Sequence, residues 1–277
     1  MGRHRRRRRG RWVRVALTAV AGLAAVGVSV VVFVPGRSKA APRQPQVSSD
    51  AVAKKAAALT GVPFSGEPAV GALFTTTASG GLADHFCTAS VVDSPSRDLI
   101  ITAAHCLAGS AQGIVFVPGY HDGQSPYGIW NATQTVVDSS WSASSDQDHD
   151  VAFVVVAARS GSAKIQDVTG AETLDTSGSP AGPVQVIGYP LGAGKPISCR
   201  NTVTAFGARQ LEFDCRAFTN GTSGGPFLAG VDPLTGRGTV VGVIGGYQTG
   251  GNDPDVSYSI SFGDDVRALY QTAVAKG

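Results

Sequence analysis

Three polar residues border apolar, β-branched segments, and together their types suit hydrolysis by a serine nucleophile. His105 follows LIITAA, Asp150 precedes VAFVVV, and Ser223 lies in AFTNGTSGGP, residues 217–226. A serine hydroxyl is a poor nucleophile at neutral pH, so an imidazole must accept its proton during attack. A carboxylate must hold that imidazole in the correct tautomer and stabilise its charged form. The three residue types therefore predict covalent catalysis at Ser223.

Each of these residues also has a simpler explanation when it is taken alone. A histidine beside a cysteine is usually structural, and a serine among glycines is usually a turn residue. Asp150, with Asp146 and Asp148 nearby, could belong to a solvated acidic loop. The joint pattern favours chemistry, because serine hydrolysis needs these three groups and few others.

The elements that must position these residues are short strands. From about residue 62, some eleven β-branched segments alternate with clusters of Gly, Pro and Ser, and the chain contains 36 glycines. Many short strands with such turns predict an all-β sandwich or barrel. One late segment, residues 263–277, is typical of a helix, with Asp264 or Asp265 placed to cap it.

Three motifs resemble those of the trypsin/chymotrypsin-like serine proteases, of the secreted bacterial type. Thr102–Cys106 (TAAHC) resembles the histidine motif, Gly221–Pro226 (GTSGGP) the serine motif, and Asp150–Ala152 (DVA) the aspartate motif. The chain order His, Asp, Ser also agrees with that family. The resemblance covers roughly residues 66–270.

This resemblance implies a fold, a reaction and a set of roles. We expect a peptidase domain over 62–277, with two six-stranded antiparallel β-barrels at about 66–158 and 175–262 and a C-terminal helix. The catalytic residues would be His105, Asp150 and Ser223. The N–H groups of Gly221 and Ser223 would form the oxyanion hole. The implied activity is that of a serine endopeptidase working through an acyl-enzyme on peptides or proteins, without a cofactor.

The four cysteines point to disulfides rather than to a metal site. They include no C-x-x-C pair, which disfavours structural zinc, and we expect no metal. Their even number in an exported chain indicates two disulfides, for which three pairings are possible. The resemblance implies that Cys87 pairs with Cys106. Cys199 and Cys215 would then pair and flank a hairpin upstream of Ser223.

The N-terminal region has the pattern of an export signal. Residues 1–14 carry eight arginines and no acid, and residues 15–34 carry no charge. A basic tip before an apolar run predicts a signal peptide or a signal anchor within residues 1–40, followed by a linker or short pro-segment, residues 41–61. We favour a cleaved signal and a secreted protein. The alternative is a membrane-anchored protein with its catalytic domain outside.

The rest of the chain has no basic excess. The net charge of +3 becomes about −5 when the N-terminal tip is left out, so we expect no nucleic-acid partner. We also expect a monomer, with membrane contact only through residues 15–34 if they are uncleaved.

Two positions depart from the family pattern. Members activated by proteolysis usually carry Asp just before the serine, where it pairs with a new N-terminal ammonium, but this chain has Thr222. We therefore predict a protease that needs no such ion pair. Ala217 and Gly245, expected in the substrate pocket, argue against strict Arg or Lys cleavage and favour small or apolar side chains. Asp253 and Asp255 could also enter the pocket.

Two other classes of protein share parts of this sequence pattern. The first is a catalytically inactive homologue that acts as an extracellular binding module, although such proteins usually lose a catalytic residue. The second is a membrane-tethered quality-control protease with a PDZ domain. The residues that follow Ser223 are too few for the rest of a barrel and a PDZ domain.

Overall fold

The structure is a computed structural model, and it describes residues 59–107, 110–158, 160, 163–178 and 182–277. The predicted signal or anchor segment and most of the predicted linker lie outside these residues. Within the described ranges, no helix combines the length and the apolar character needed to cross a bilayer.

Fourteen strands and three α-helices make up the described chain. The strands are β1 (Val62–Pro63), β2 (Val70–Thr76), β3 (Leu82–Val91), β4 (Leu99–Thr102), β5 (Ile114–Pro118), β6 (Trp130–Val137), β7 (Ala152–Ala158), β8 (Thr173–Leu174), β9 (Gly182–Gly188), β10 (Ile197–Phe206), β11 (Gln210–Asp214), β12 (Pro226–Ala229), β13 (Thr239–Val243) and β14 (Val256–Ile260). The helices are α1 (Ser139–Ser144), α2 (Ile165–Thr169) and α3 (Asp264–Val274). Three 3-10 helices span Ala104–Leu107, Gln147–His149 and Tyr247–Gly250.

The first half of the domain is a closed barrel. Its six strands follow the order β2-β3-β4-β7-β6-β5, and every pairing is antiparallel. Closure leaves no free sheet edge, so each strand is held on both sides. The barrel therefore fixes the ends of β4 and β7, which are the strand ends beside His105 and Asp150.

The second half is an eight-stranded sheet. Its order is β14-β11-β10-β9-β12-β13-β8, and β1 pairs with β10. The Gly245 N–H donates to the Tyr258 carbonyl over 2.9 Å, which links the chain beyond β13 to β14. Strands β9 to β14 thus form the second six-stranded unit, and β1 and β8 are additions at its edges. The predicted all-β fold of two barrels with a C-terminal helix is confirmed.

Three apolar clusters hold the domain together. One fills the first barrel around residues such as Phe116, one fills the second around Phe213, and the third contains residues of both units together with α3. Fully burying a large apolar side chain contributes about 1.5–3 kcal/mol. The third cluster therefore gives the two barrels a fixed relative position, and the cleft between them depends on that position.

The C-terminal helix forms where it is predicted, but its cap differs. The N-cap residue of α3 is Gly263, which offers no side chain, while Asp264 and Asp265 lie in the first turn. Acidic side chains there still interact favourably with the helix dipole. The buried face of α3, with Val266, Leu269 and Ala273, packs into the third cluster.

Two buried carboxyl groups lie just before β2 and β8. Glu67 is 5% exposed and Glu172 is fully buried. One oxygen of Glu67 accepts the Ala69 N–H over 2.8 Å, and one oxygen of Glu172 accepts the Gly238 N–H over 2.6 Å. Burial raises the pKa of Glu67 to about 7. Burial, and then the charge of Glu67, raises the pKa of Glu172 to about 8. Both carboxyls therefore keep their protons to a higher pH than an exposed glutamate does.

This pair predicts that the fold loses stability as the pH rises. Between the ordinary carboxyl pKa of 4.5 and about 8, these two carboxyls bind more protons in the folded chain than in the unfolded chain. Their contribution to the free energy of unfolding must then fall with increasing pH across that window. We expect the melting temperature to decrease from pH 5 to pH 9 by several degrees more in the wild type than in Glu172→Gln. Glu212→Gln is the control, since it changes a partly exposed carboxyl. Identical pH curves for wild type and Glu172→Gln would contradict the assignment.

Candidate active site

His105 lies on the 3-10 helix Ala104–Leu107, just after β4 ends. All four residues of β4 are buried, and so are Ala104, Cys106 and Leu107 on the helix. A disulfide between Cys87 and Cys106 joins this helix to β3. His105 is left as the partly exposed residue of the turn, with its backbone held by burial and by a covalent link.

Asp150 is fully buried and positions the imidazole. Its Oδ2 lies 2.7 Å from Nδ1 of His105, and its Oδ1 accepts the backbone N–H of His105 over 2.9 Å. A third bond comes from the Gly246 N–H to Oδ2, over 2.9 Å. Because a carboxylate only accepts hydrogen bonds, Nδ1 of the ring must carry the hydrogen. The Nε2 atom of a neutral His105 is then free to accept a proton.

The peptide groups around Ser223 are oriented by their carbonyls. The Asn220 carbonyl accepts the Leu191 N–H over 2.6 Å, and the Thr222 carbonyl accepts the Gly225 N–H over 2.9 Å. In a trans peptide the C=O and the N–H point in opposite directions. The N–H groups of Gly221 and Ser223 therefore point away from these anchors, and in the described chain neither of them donates a hydrogen bond.

Gly221 is the residue whose backbone needs glycine. Its φ is 92°, and a Cβ there would lie 2.6 Å from the Tyr189 carbonyl oxygen and 2.7 Å from the Leu191 nitrogen. Both the dihedral angle and the contacts exclude any side chain. The loop can therefore present the Gly221 N–H only in this close-packed arrangement.

An open cleft of about 780 Å³ brings the predicted catalytic residues together. Its lining includes His105, Gly221 and Ser223, with Asp150 buried behind the imidazole. The other lining residues are Phe86, Cys87, Cys106, Leu191, Phe218, Thr219, Asn220, Thr222, Ile244, Thr249, Gly250, Gly251, Asn252, Asp253 and Pro254. A proton acceptor, a hydroxyl and two unpaired N–H donors thus meet at one surface.

The two predicted pocket residues, Ala217 and Gly245, are not among the described residues that line the cleft. Ala217 has a φ of 78° and packs against the core of the second sheet, while its neighbour Phe218 lines the cleft. A Cβ on Gly245 would lie 3.0 Å from the Asp150 carbonyl oxygen, so this glycine packs directly against Asp150. The segment 249–254, which includes Asp253, forms one wall of the cleft, and its position could not be predicted from the sequence.

Thr222 occupies a small buried site. It is 1% exposed, and its hydroxyl donates to the Thr219 carbonyl over 2.7 Å. A Cβ on Gly188 would come within 2.6 Å of the Thr222 Cβ, so the backbone at Gly188 packs directly against the Thr222 side chain. The hydroxyl thus has a local acceptor, and the side chain carries no charge that could pair with an ammonium group.

Gln210 is a supporting residue that sequence reasoning missed. From β11 its Nε2 donates to Asp148 Oδ1 over 2.6 Å and to the Gln147 carbonyl over 3.1 Å. Its Oε1 accepts the Tyr247 N–H over 3.1 Å. One side chain thus ties the turn before Asp150 to the segment that donates the Gly246 N–H.

The cysteines beside His105 do not form a metal site. A ring nitrogen of His105 and the sulfur atoms of Cys87 and Cys106 lie within 4.8 Å of one another. Both sulfurs are in a disulfide, and Nδ1 is engaged by Asp150. The second disulfide, Cys199–Cys215, closes the hairpin of β10 and β11.

The chain belongs to the trypsin-like peptidase domain family, whose model matches residues 87–243, more than half of its length. The motifs around His105, Asp150 and Ser223 all lie within the match. No curated protein has significant similarity to the chain.

Several solved protease structures share the fold. The protease Anisep from Arthrobacter nicotinovorans is 25% identical, with a TM-score of 0.66 over 78% of this chain and 100% of that one. AL20, a thermostable serine protease from an extremophilic microorganism, is 28% identical, with a TM-score of 0.64 over 76% of this chain and 99% of that one. A Glu endopeptidase, 16% identical, has a TM-score of 0.60 over 78% of this chain and 97% of that one, and shows the fold alone. Family and structure together define a peptidase of the trypsin-like serine protease fold.

Proposed function

We propose that this protein is an exported serine endopeptidase that cleaves peptide bonds with a Ser223–His105–Asp150 triad through an acyl-enzyme. One observation carries the proposal: a histidine held by a buried carboxylate, a serine, and two unpaired N–H groups border the same cleft. Membership of the peptidase family agrees with it.

Acylation would begin when the Ser223 hydroxyl attacks the carbonyl carbon of the substrate. Its proton passes to Nε2 of His105, and Asp150 stabilises the imidazolium that forms. The carbonyl π electrons move onto oxygen, and the N–H groups of Gly221 and Ser223 donate to that oxyanion. When the intermediate collapses, the C–N bond breaks and His105 returns the proton to the leaving amine. Ser223 then carries an ester.

Deacylation repeats the same steps with water. A water molecule takes the place of the amine and gives its proton to Nε2 of His105 as its oxygen attacks the ester carbon. The C–O bond to Ser223 breaks, the serine recovers its proton, and the carboxylic acid product leaves. The cycle restores every protein group and needs no metal or cofactor.

Two features support export of the peptidase domain. The chain has two disulfides, Cys87–Cys106 and Cys199–Cys215, and such bonds form and persist in oxidising compartments. Residues 1–40 have the composition of a signal peptide or signal anchor. We propose a secreted monomer, with retention on the membrane through residues 15–34 as the alternative.

The cleft supports a mixed specificity. Phe218 and Ile244 give it apolar walls, and Asp253 is the one carboxylate among its described lining residues, which include no Lys or Arg. Asp255 is not in that lining, and it pairs with Arg216 over 3.1 Å. We therefore expect small or apolar side chains to be accepted, with a basic side chain tolerated where it reaches Asp253.

Cleavage of a peptide library tests both the endopeptidase activity and the independence from an N-terminal ion pair. We expect chains beginning at residue 41 and at residue 50 to cleave the same internal bonds with kcat/KM values within about threefold, since Thr222 offers no charge to an ammonium. Both chains keep β1. Ser223→Ala is the control for contaminating proteases. A difference of orders of magnitude between the two chains would contradict the independence from a free N-terminus.

The same library separates the enzyme from an inactive binding homologue. A binding module would retain peptides without cleaving them, and wild type and Ser223→Ala would then behave alike. The complete set of His105, Asp150 and Ser223 favours the enzyme.

A further inference from the structure

Thr88 lies on β3 of the first barrel, next to the disulfide cysteine Cys87, and is fully buried. Its main chain and its side chain both reach the loop that carries Ser223. This loop belongs to the second half of the domain, 133 residues further along the chain at Gly221. Core packing alone does not require a polar side chain at this position. A buried hydroxyl that joins the two barrels beside Ser223 therefore indicates a more specific role.

Four hydrogen bonds converge on Thr88. Its hydroxyl donates to the Gly221 carbonyl over 3.0 Å and accepts the Tyr189 N–H over 2.9 Å. Its N–H donates to the Ser223 carbonyl over 2.7 Å. Its own carbonyl accepts the Thr102 hydroxyl, over 2.8 Å, from the end of the strand that leads to His105. The Thr88 hydroxyl therefore has both a donor and an acceptor. The bond from Thr102 holds the Thr88 carbonyl and so fixes β3 at this residue.

The contacts from Thr88 hold the carbonyls of Gly221 and Ser223, whereas Leu191 and Gly225 hold the other two carbonyls of the loop. Going from Asn220 to Ser223, the carbonyls are bound in turn by Leu191, the Thr88 side chain, Gly225 and the Thr88 backbone. The Gly221–Thr222 peptide thus lies between the two peptides whose N–H groups face the cleft. At Gly221 no side chain limits backbone rotation, so hydrogen bonds must fix that peptide plane. The Thr222 N–H donates to the Thr219 carbonyl over 3.1 Å on one side of the plane, and the Thr88 hydroxyl holds the Gly221 carbonyl on the other.

We propose that Thr88 is a positioning residue for the oxyanion hole, whose hydroxyl keeps the Gly221–Thr222 peptide in the orientation that aims the flanking N–H groups into the cleft. The proposal rests on the proposed function, because it concerns the conformation of the same loop. Thr88 acts through the loop and does not touch the substrate.

The test is Thr88→Val, which removes the hydroxyl and keeps the branched shape. The buried Gly221 carbonyl and Tyr189 N–H both lose a partner, which favours rotation of the peptide. Losing one oxyanion donor outright costs about 100- to 1000-fold in turnover. For the indirect effect we expect kcat to fall about 10- to 100-fold while KM changes little. Thr88→Ser, which keeps the hydroxyl, should restore kcat to within about threefold of the wild type.

Ser90→Ala is the matched control, two residues along β3. Ser90 is also fully buried, and its hydroxyl has no hydrogen-bond partner among the described residues. We expect its kcat to equal that of the wild type. If Thr88→Val does not fold, as judged by its melting curve, Thr88→Ala provides the same loss of the hydroxyl.

A peptide aldehyde supplies a readout that a purely structural role would not move. It forms a hemiacetal on serine whose oxygen occupies the oxyanion position, so its affinity should fall in parallel with kcat. Binding of the corresponding peptide alcohol, which forms no hemiacetal, should stay unchanged. Three results would overturn the proposal. Thr88→Val could keep the wild-type kcat, it could change KM alone, or Thr88→Ser could fail to restore turnover. Failure of the proposed function is distinct from these outcomes, because the wild type would then be inactive or Ser223→Ala fully active.

Discussion

We expect Ser223→Ala to lower the turnover number for peptide hydrolysis by about a million-fold, because loss of the proposed triad serine would remove the covalent route altogether. The cleft, the His105–Asp150 pair and the two free N–H groups remain, so substrate binding should persist. The measurement is kcat and KM on a peptide from the library, with the bound fraction followed separately. Background activity from contaminating proteases sets the lower limit of detection.

A matched serine variant shows whether a loss of activity comes from the missing nucleophile or from any serine-to-alanine substitution. Ser261→Ala removes a hydroxyl that bonds to the Gly178 carbonyl and is not part of the cleft lining. It should retain wild-type kcat. Comparable losses in both variants would indicate a folding defect, and full activity of Ser223→Ala would place the nucleophile elsewhere.

Asp150→Asn has the second largest expected effect, a loss of about 10,000-fold in kcat. The Asp150 carboxylate accepts three hydrogen bonds, from Nδ1–H and N–H of His105 and from Gly246 N–H. An amide has one oxygen and one NH2 group, so it cannot accept at both positions. If its NH2 faces the imidazole, Nδ1 must become the acceptor and Nε2 carries the hydrogen. The ring then cannot take the proton of Ser223.

The control for this variant lies in the same turn. Asp146→Asn changes a carboxylate that accepts the Asp148 N–H as an N-cap, a role that asparagine also fills. We expect near wild-type kcat for Asp146→Asn and an unchanged fold for both variants by melting temperature. An Asp150→Asn enzyme within tenfold of the wild type would show that the carboxylate does not set the tautomer of His105.

Much of the candidate site was predictable because its groups sit in short local motifs. His105, Asp150, Ser223 and Gly221 each border a β-branched segment or lie among glycines, and the structure brings His105, Gly221 and Ser223 to one cleft with Asp150 behind them. The strands were predictable for a similar reason, since β-branched runs between turn residues have few alternatives. The edge strands β1 and β8 have two residues each and left no such pattern.

The supporting contacts were beyond sequence reasoning. Thr88 and Gly221 are 133 residues apart, and Gln210 and Asp148 are 62 apart. No local pattern distinguishes a buried threonine that bridges two barrels from one that merely fills a strand. The wall formed by segment 249–254 could not be located from the sequence for a related reason, because the path of this segment depends on tertiary packing. Phe218, whose ring also belongs to the core of the second sheet, lines the cleft, and its neighbour Ala217 does not.

The most direct test of the Ser223–His105–Asp150 triad is to locate the covalent adduct of a fluorophosphonate on the intact protein. We expect one adduct per chain, assigned by peptide mapping to Ser223, and formed at least about a thousandfold more slowly in Asp150→Asn. An adduct on any other residue would contradict the triad, and so would equal rates of labelling in the wild type and Asp150→Asn.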